Sequence, residues 1–295
     1  KGDYAGAIKA NEQLLQVAEE SNDQSLKALA HTEIATALAR GDRFSEALDH
    51  YSQAYLIYKS EGLERNVGYN LEGRSDALWR LGRYQEAQSL LDEASTIADK
   101  PNGGNKQLSA NIKLVAAEMA LSQGRSGDAK DRAEKVILAA GTQFPDSALD
   151  AKRVLGLAQA YGGAVAAGKQ RCADAVEVAN GLHDSLQAAR AQLALAEVLL
   201  LANDAPAALA AALQAQESFA RGEQKESEWR AWLIAALASQ KRGEANKARD
   251  YALKATETLS SLQQRWGAEN YNSYLSRPDI QRFRKQLSEV TGTQK

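Results

Sequence analysis

The chain has 295 residues, 44% hydrophobic, 6% aromatic and 25% charged, an apolar share that supports a buried core and excludes a disordered tail. Net charge is −2, from 36 basic and 38 acidic residues, so composition makes no case for phosphate neutralisation and nucleic-acid binding is not expected. Alanine fills close to a fifth of the positions while β-branched and aromatic residues are scarce, which argues against a sheet protein and for an all-α one.

At Lys1 the chain is already inside a helical motif, a start that reads as a piece of a longer protein. Gly2-Asp3-Tyr4-Ala5-Gly6-Ala7 is the first copy of a phrase in which an alanine falls five positions after a turn glycine. Helices are predicted over 27–40 and 44–59, joined by Gly41-Asp42-Arg43, with one extra residue before Ala47. The pattern returns over 67–81 and 84–98 around Gly82-Arg83-Tyr84, then over 107–123 and 128–139 around Gly124-Arg125-Ser126. Residues 141–183 match poorly; Pro145 is placed in a first helical turn, and a degenerate copy from Gly168 to Ala173 stands out of register.

The next pair, 186–202 and 206–220, turns at Asn203, which tolerates the left-handed backbone, and Pro206 falls where a missing N–H costs little. Helices over 228–242 and 244–262 flank Gly243. Gly267 is expected to stop the last repeat helix, and Ser276-Arg277-Pro278-Asp279 to open a terminal helix through Arg282 and Leu287 as a capping box does. Alanines 7, 47, 87, 129, 208 and 248 step by about 40, with one double step.

Ala47, Tyr51 and Ala54, Ala87, Leu91 and Ala94, and Trp232 before Ala236 carry a resemblance to the tetratricopeptide repeat, in its long-period bacterial signalling form. Arg74 departs from it, standing where the family has an apolar residue. The resemblance implies a right-handed superhelical α-solenoid of antiparallel helix pairs, an array over 1–265 with its first repeat truncated, and a C-terminal cap over 266–295. It also implies a concave face built from the first helix of each pair.

In repeat register that face takes Thr32, Thr36 and Arg40, then Tyr69, Glu72, Asp76, Trp79 and Arg80, then Asn111 and Glu118, and further on Arg190, Glu197, Arg230 and Lys241. Glu72, Asp76 and Glu118 would form an acidic stripe beside Tyr69 and Trp79, suited to a protein or peptide segment bearing Lys or Arg. Solvated polar helix faces are the other reading of the same residues. Carboxylates at these places argue against the lysine-and-asparagine clamp of chaperone-binding relatives.

Chemistry is otherwise absent from the pattern. His31, His50 and His183 are widely spaced, with no HExxH or CxxC, so no metal and no cofactor are expected; His31 reads as a core histidine and Cys172 as a small core filler. The pairs Gly103-Gly104 and Gly162-Gly163 read as loop and helix-end glycines rather than phosphate cradles. The tail's Arg277, Arg282, Arg284 and Lys285, with Trp266, Tyr271, Tyr274 and Phe283, fit a capping helix better than a nucleic-acid patch. Nothing reads as a membrane span. The expectation is a non-enzymatic, cytoplasmic interaction scaffold within a larger bacterial regulatory protein. The alternative is a ligand- or peptide-sensing domain controlling an upstream kinase or transcription-factor effector, as a loose likeness of the chain's end to such bacterial proteins implies.

Overall fold

The computed structural model describes residues 4–100, 104–182 and 184–292. Lys1, Gly2, Asp3, Gly103 and His183, all named above, lie outside them. The described residues form fourteen helices and no strand. These are α1 (Tyr4–Glu20), α2 (Gln24–Arg40), α3 (Phe44–Ser60), α4 (Glu64–Arg80), α5 (Tyr84–Ala98), α6 (Lys106–Ser122) and α7 (Ser126–Ala140). They continue with α8 (Pro145–Tyr161), α9 (Val165–Leu182), α10 (Ser185–Leu201), α11 (Ala205–Arg221), α12 (Lys225–Lys241), α13 (Ala245–Leu275) and α14 (Pro278–Thr291). Each helix packs on its neighbours in sequence, and the even-numbered helices from α2 to α12 also pack on one another, forming the inner layer of a right-handed α-solenoid.

Turn chemistry explains the regularity. Within each hairpin a single residue takes positive φ: Asp42 (58°), Gly82 (85°), Gly124 (76°), Gly163 (95°), Asn203 (59°) and Gly243 (75°). Five residues later comes a small side chain that lets the hairpin's helices close together. Two sequence expectations need correction here. The 41–43 turn has no extra residue: Gly41 keeps an ordinary φ of −89°, and Asp42 takes the left-handed place five positions before Ala47. In the 141–183 stretch the turn is Gly162-Gly163, so Gly168 stands in register at the alanine position. A Cβ there would meet the Gly156 carbonyl at 2.5 Å, and one on Gly156 would meet Cys172 Sγ at 2.5 Å, so this hairpin is tighter than an alanine allows.

Pro145 and Pro206 sit in first helical turns, as expected. Gly267 (φ 78°, ψ 162°) breaks α13, which then resumes to Leu275. Ser276 does not cap α14. Arg277 holds the N-cap place without a side-chain cap bond, and its guanidinium instead reaches Asp279 at 2.7 Å.

The array does not stay open. Helices α12, α13 and α14 come back against α2, α3 and α4, where Phe44, Ala77 and Leu81 join Trp229, Leu233, Trp266, Tyr274, Ile280 and Phe283 in one core. Full burial of such side chains contributes roughly 1.5–3 kcal/mol each. Polar contacts finish the closure: Trp266 Nε1 donates to the Asp42 carbonyl (2.6 Å), the Glu226 N–H to Asp42 Oδ2 (3.0 Å), and Arg277 Nη1 to the Arg80 carbonyl (2.7 Å). Gln224 Nε2 donates to the Arg40 carbonyl at 3.2 Å. These bonds span 184 to 224 residues of chain.

Candidate functional site

Closure turns the concave face into an interior. Three ranks of the inner helices look inward: the sixth residue of α4, α6, α8 and α10 (Tyr69, Asn111, Asp150, Arg190), the ninth of α2, α4 and α8 (Thr32, Glu72, Arg153) and the thirteenth of α2, α4, α6 and α10 (Thr36, Asp76, Glu118, Glu197). The rank spacings of three and four keep one face turned to the lumen over two helical turns. A cavity of about 510 Å³ opens among α2, α4, α6, α8 and α10, and Thr36, Tyr69, Glu72, Asp76, Asn111 and Glu118 all line it. Trp79 and Glu197 lie outside it, on a smaller adjoining cavity of about 70 Å³ beneath α14.

The acidic stripe is largely neutralised within the chain. Asp76 accepts from Trp79 Nε1 and from Arg80 Nε, both at 2.9 Å. Glu118 is buried between Arg80 (3.1 Å) and Arg153. Burial pushes its carboxyl up, but Arg80 and Arg153 more than offset this and hold it below the ordinary range. Glu197 meets Arg230 (3.4 Å), Arg282 (3.9 Å) and the Tyr161 hydroxyl; its burial outweighs the arginines and raises its pKa. Trp79 lies between two guanidiniums, Arg80 at 4.8 Å and Arg277 at 4.9 Å from its ring centre.

The remaining predicted residues are held by lighter contacts. Thr36 Oγ1 donates to the Thr32 carbonyl at 2.9 Å and lies 3.4 Å from the Tyr51 hydroxyl. Tyr69 donates to Asn105 Oδ1 at 3.2 Å, and Asn111 Oδ1 accepts from Ser147 Oγ at 2.9 Å. Glu72 has no cation within ion-pair distance among the described residues. Burial first, then the neighbouring Asp76 and Glu118, push its pKa up to about 8.

Sequence reasoning missed Asp150, Arg153, Ser147 and Gln187, which share the interior. The signal was rank: Asp150 and Arg153 stand sixth and ninth in α8, as Tyr69 and Glu72 do in α4. It also missed that Arg282 in the tail would reach the concave carboxylate Glu197. His31, read as a core histidine, is buried with its Nδ1 3.0 Å from that of His50, and burial lowers both pKa values. Cys172 is fully buried, and burial pushes its thiol up to about 12.

No family model matches the chain, and no curated protein does. Solved structures are similar in fold. A Rap protein complexed with competence and sporulation factor is 13% identical, with a TM-score of 0.63 over 95% of this chain and 81% of that one. A signal-transduction ATPase with numerous domains and a tetratricopeptide repeat sensor, from Pyrococcus horikoshii, is 14% identical, with a TM-score of 0.57 over 97% of this chain and 41% of that one. BtubC from P. vanneervenii is 14% identical, with a TM-score of 0.54 over 76% of this chain and 91% of that one. The inner and outer helix layers, the turn phrase and these likenesses make the fold a helical-repeat solenoid of the tetratricopeptide type.

Proposed function

We propose that the chain is a binding module that holds a protein or peptide segment inside the closed array and performs no catalysis of its own. The carrying observation is the cavity of about 510 Å³ framed by five inner helices, on which six of the eight residues chosen from sequence converge. A pocket of that size with a few directed polar groups is what ligand sites use. The similar Rap protein is described in complex with a competence and sporulation factor, which supports the reading for a neighbour of the same fold.

A sensing role is favoured by one further observation: the cavity is bounded by helices whose ends also make the closure, so occupancy and closure share residues. The proposal extends to a cytoplasmic regulatory protein as the setting; no helix among the described residues is long and apolar enough to cross a membrane. The test is selection from a random-peptide pool followed by amide chemical-shift mapping. Shifts centred on α2, α4 and α6, including Tyr69 and Asn111, are expected. Shifts confined to the outer helices α3, α5 and α7 would reject the cavity.

A further inference from the structure

Inside the ring the guanidiniums are matched with carboxylates. Arg80 holds Asp76 (2.9 Å) and Glu118 (3.1 Å), and Arg153 holds Glu118 and Asp150. Arg230 takes Glu197 at 3.4 Å, and Arg277 takes Asp279 at 2.7 Å. Arg190 is the exception. It reaches the lumen half-buried from the sixth position of α10, where it walls both the main cavity and an adjoining one of about 40 Å³. Its guanidinium makes no hydrogen bond and no ion pair among the described residues.

The carboxylates that could answer it are committed elsewhere. Asp150, at the same rank of α8, turns to Arg153 of its own helix at 3.1 Å. Asp184 accepts from the N–H groups of Leu186 and Gln187 at the start of α10. Glu226 accepts from the Tyr274 hydroxyl at 3.1 Å. Glu72 carries no charge to offer at pH 7, since burial and its acidic neighbours raise its pKa to about 8. Arg190 acts on Glu118 and Asp42 only through its longer-range field. A second guanidinium stands nearby. Arg40 on α2 lines the same cavity, is paired only loosely with Asp184 at 3.8 Å, and shares with Arg190 an electrostatic reach to the Tyr4 hydroxyl.

A guanidinium is all donor, and its planar fork meets a carboxylate or phosphate with two parallel bonds. Resting on the cavity reading and deepening it, we propose that Arg190 is the seat for an oxyanion of the bound segment, a carboxylate, with Arg40 as the second donor. The acidic stripe on the opposite wall is already supplied with arginines by the chain itself, so the charge left for an occupant to meet is positive. An oxyanion on Arg190 gains charge-assisted bonds without breaking any that the empty cavity holds.

Side-chain NMR tests this, because the Nε–H signal of a guanidinium moves when an oxyanion docks on it. The Arg190 signal is assigned by its loss in Arg190→Lys. Four probes separate the sources: acetyl-Ala-Ala-Ala with a free carboxylate, its C-terminal amide, acetyl-Ala-Glu-Ala-amide and inorganic phosphate. At least one carboxylate peptide is expected to move the Arg190 signal and to bind about tenfold or more tighter than the uncharged amide. Arg190→Gln should bring that peptide down to the amide's affinity with helix content unchanged by circular dichroism, and Arg190→Lys should recover part of the difference. If a variant fails to fold, the carboxylate and amide peptides compared on the natural chain decide the matter. A response to phosphate alone would support the oxyanion seat and reject a carboxylate occupant. Equal binding of the carboxylate and amide peptides would overturn the seat and leave the cavity reading intact. No response to any probe at millimolar concentration would also overturn the seat, and the random-peptide selection then judges the cavity by itself.

Discussion

Glu118 shows what a single side chain does here: it joins α4 to α8 by accepting from Arg80 and from Arg153. Glu118→Ala would take one of two carboxylates from each guanidinium, leaving Asp76 on Arg80 and Asp150 on Arg153, a loss expected to cost about 1.5–3 kcal/mol in denaturant unfolding. Its pKa is held below the ordinary value, so the contribution is present at neutral pH and fades on acidification through the depressed pKa. Glu72 has the opposite sign. Its carboxyl is raised from an ordinary 4.5 to about 8, so this group favours the folded state at low pH and loses that advantage as pH rises between those values. Thermal unfolding of Glu72→Gln should therefore match the natural chain near pH 5 and exceed it at pH 8 by about 2–4 kcal/mol. The inward rank of Thr36, Tyr69, Glu72, Asp76, Asn111 and Glu118 was legible, because the helical period and the repeat phrase fix it, while that of Asp150 and Arg153 was lost in the stretch that matches the phrase poorly. What any of them would touch was not legible. Glu118's second arginine comes from α8, whose hairpin carries Gly168 where the phrase has alanine.

Among the elements, the hairpin turns separate local strain from tertiary contact. Gly82 and Gly124 hold the same place, with φ of 85° and 76°. A Cβ on Gly124 would meet nothing within 4 Å, whereas one on Gly82 would collide with the Ser273 carbonyl in the last part of α13. Gly124→Ala should cost about 1–2 kcal/mol, the left-handed penalty alone. Gly82→Ala should cost clearly more, since it also separates the ends of the array; urea midpoints of the two variants make the comparison. Helix positions followed from alanine content and apolar spacing, but turn details did not. Asp42 in the left-handed region is invisible to a search for glycine, and its compensation, two hydrogen bonds from the far end of the chain, cannot be read locally.

For the whole molecule, closure was the feature the sequence hid. Periodicity specifies which neighbour each repeat stacks on, while the path of the superhelix comes from small angles added over many hairpins. Trp266, Tyr274 and Arg277, placed by the sequence in a C-terminal cap, also join the two ends. Closure also carries a pH dependence. Asp42 is buried against Glu226, and burial followed by that carboxylate raises its pKa from 3.8 to about 7, with Arg190 and Arg80 opposing. The docked ends therefore favour the protonated form, and closure weakens as pH rises between those two values. Asp42→Asn should remove this dependence: small-angle scattering of the natural chain is expected to show a larger radius of gyration at pH 8 than at pH 5, and the variant no such change.

An open row of repeats is severed by one cut, because each unit touches only its neighbours. A ring is not. The turn Gly141-Thr142-Gln143 is exposed on all three residues and leaves the left-handed region open to only Gly141. A protease nick there would leave both fragments stacked through α7 and α8 and still fastened where Trp266 meets Asp42. The nicked protein is expected to elute as an intact particle on size exclusion while running as two bands in denaturing gels. Joining ends some two hundred residues apart costs about 5 kcal/mol in chain entropy while the link is a loop; once folded, the same link makes every repeat an interior one.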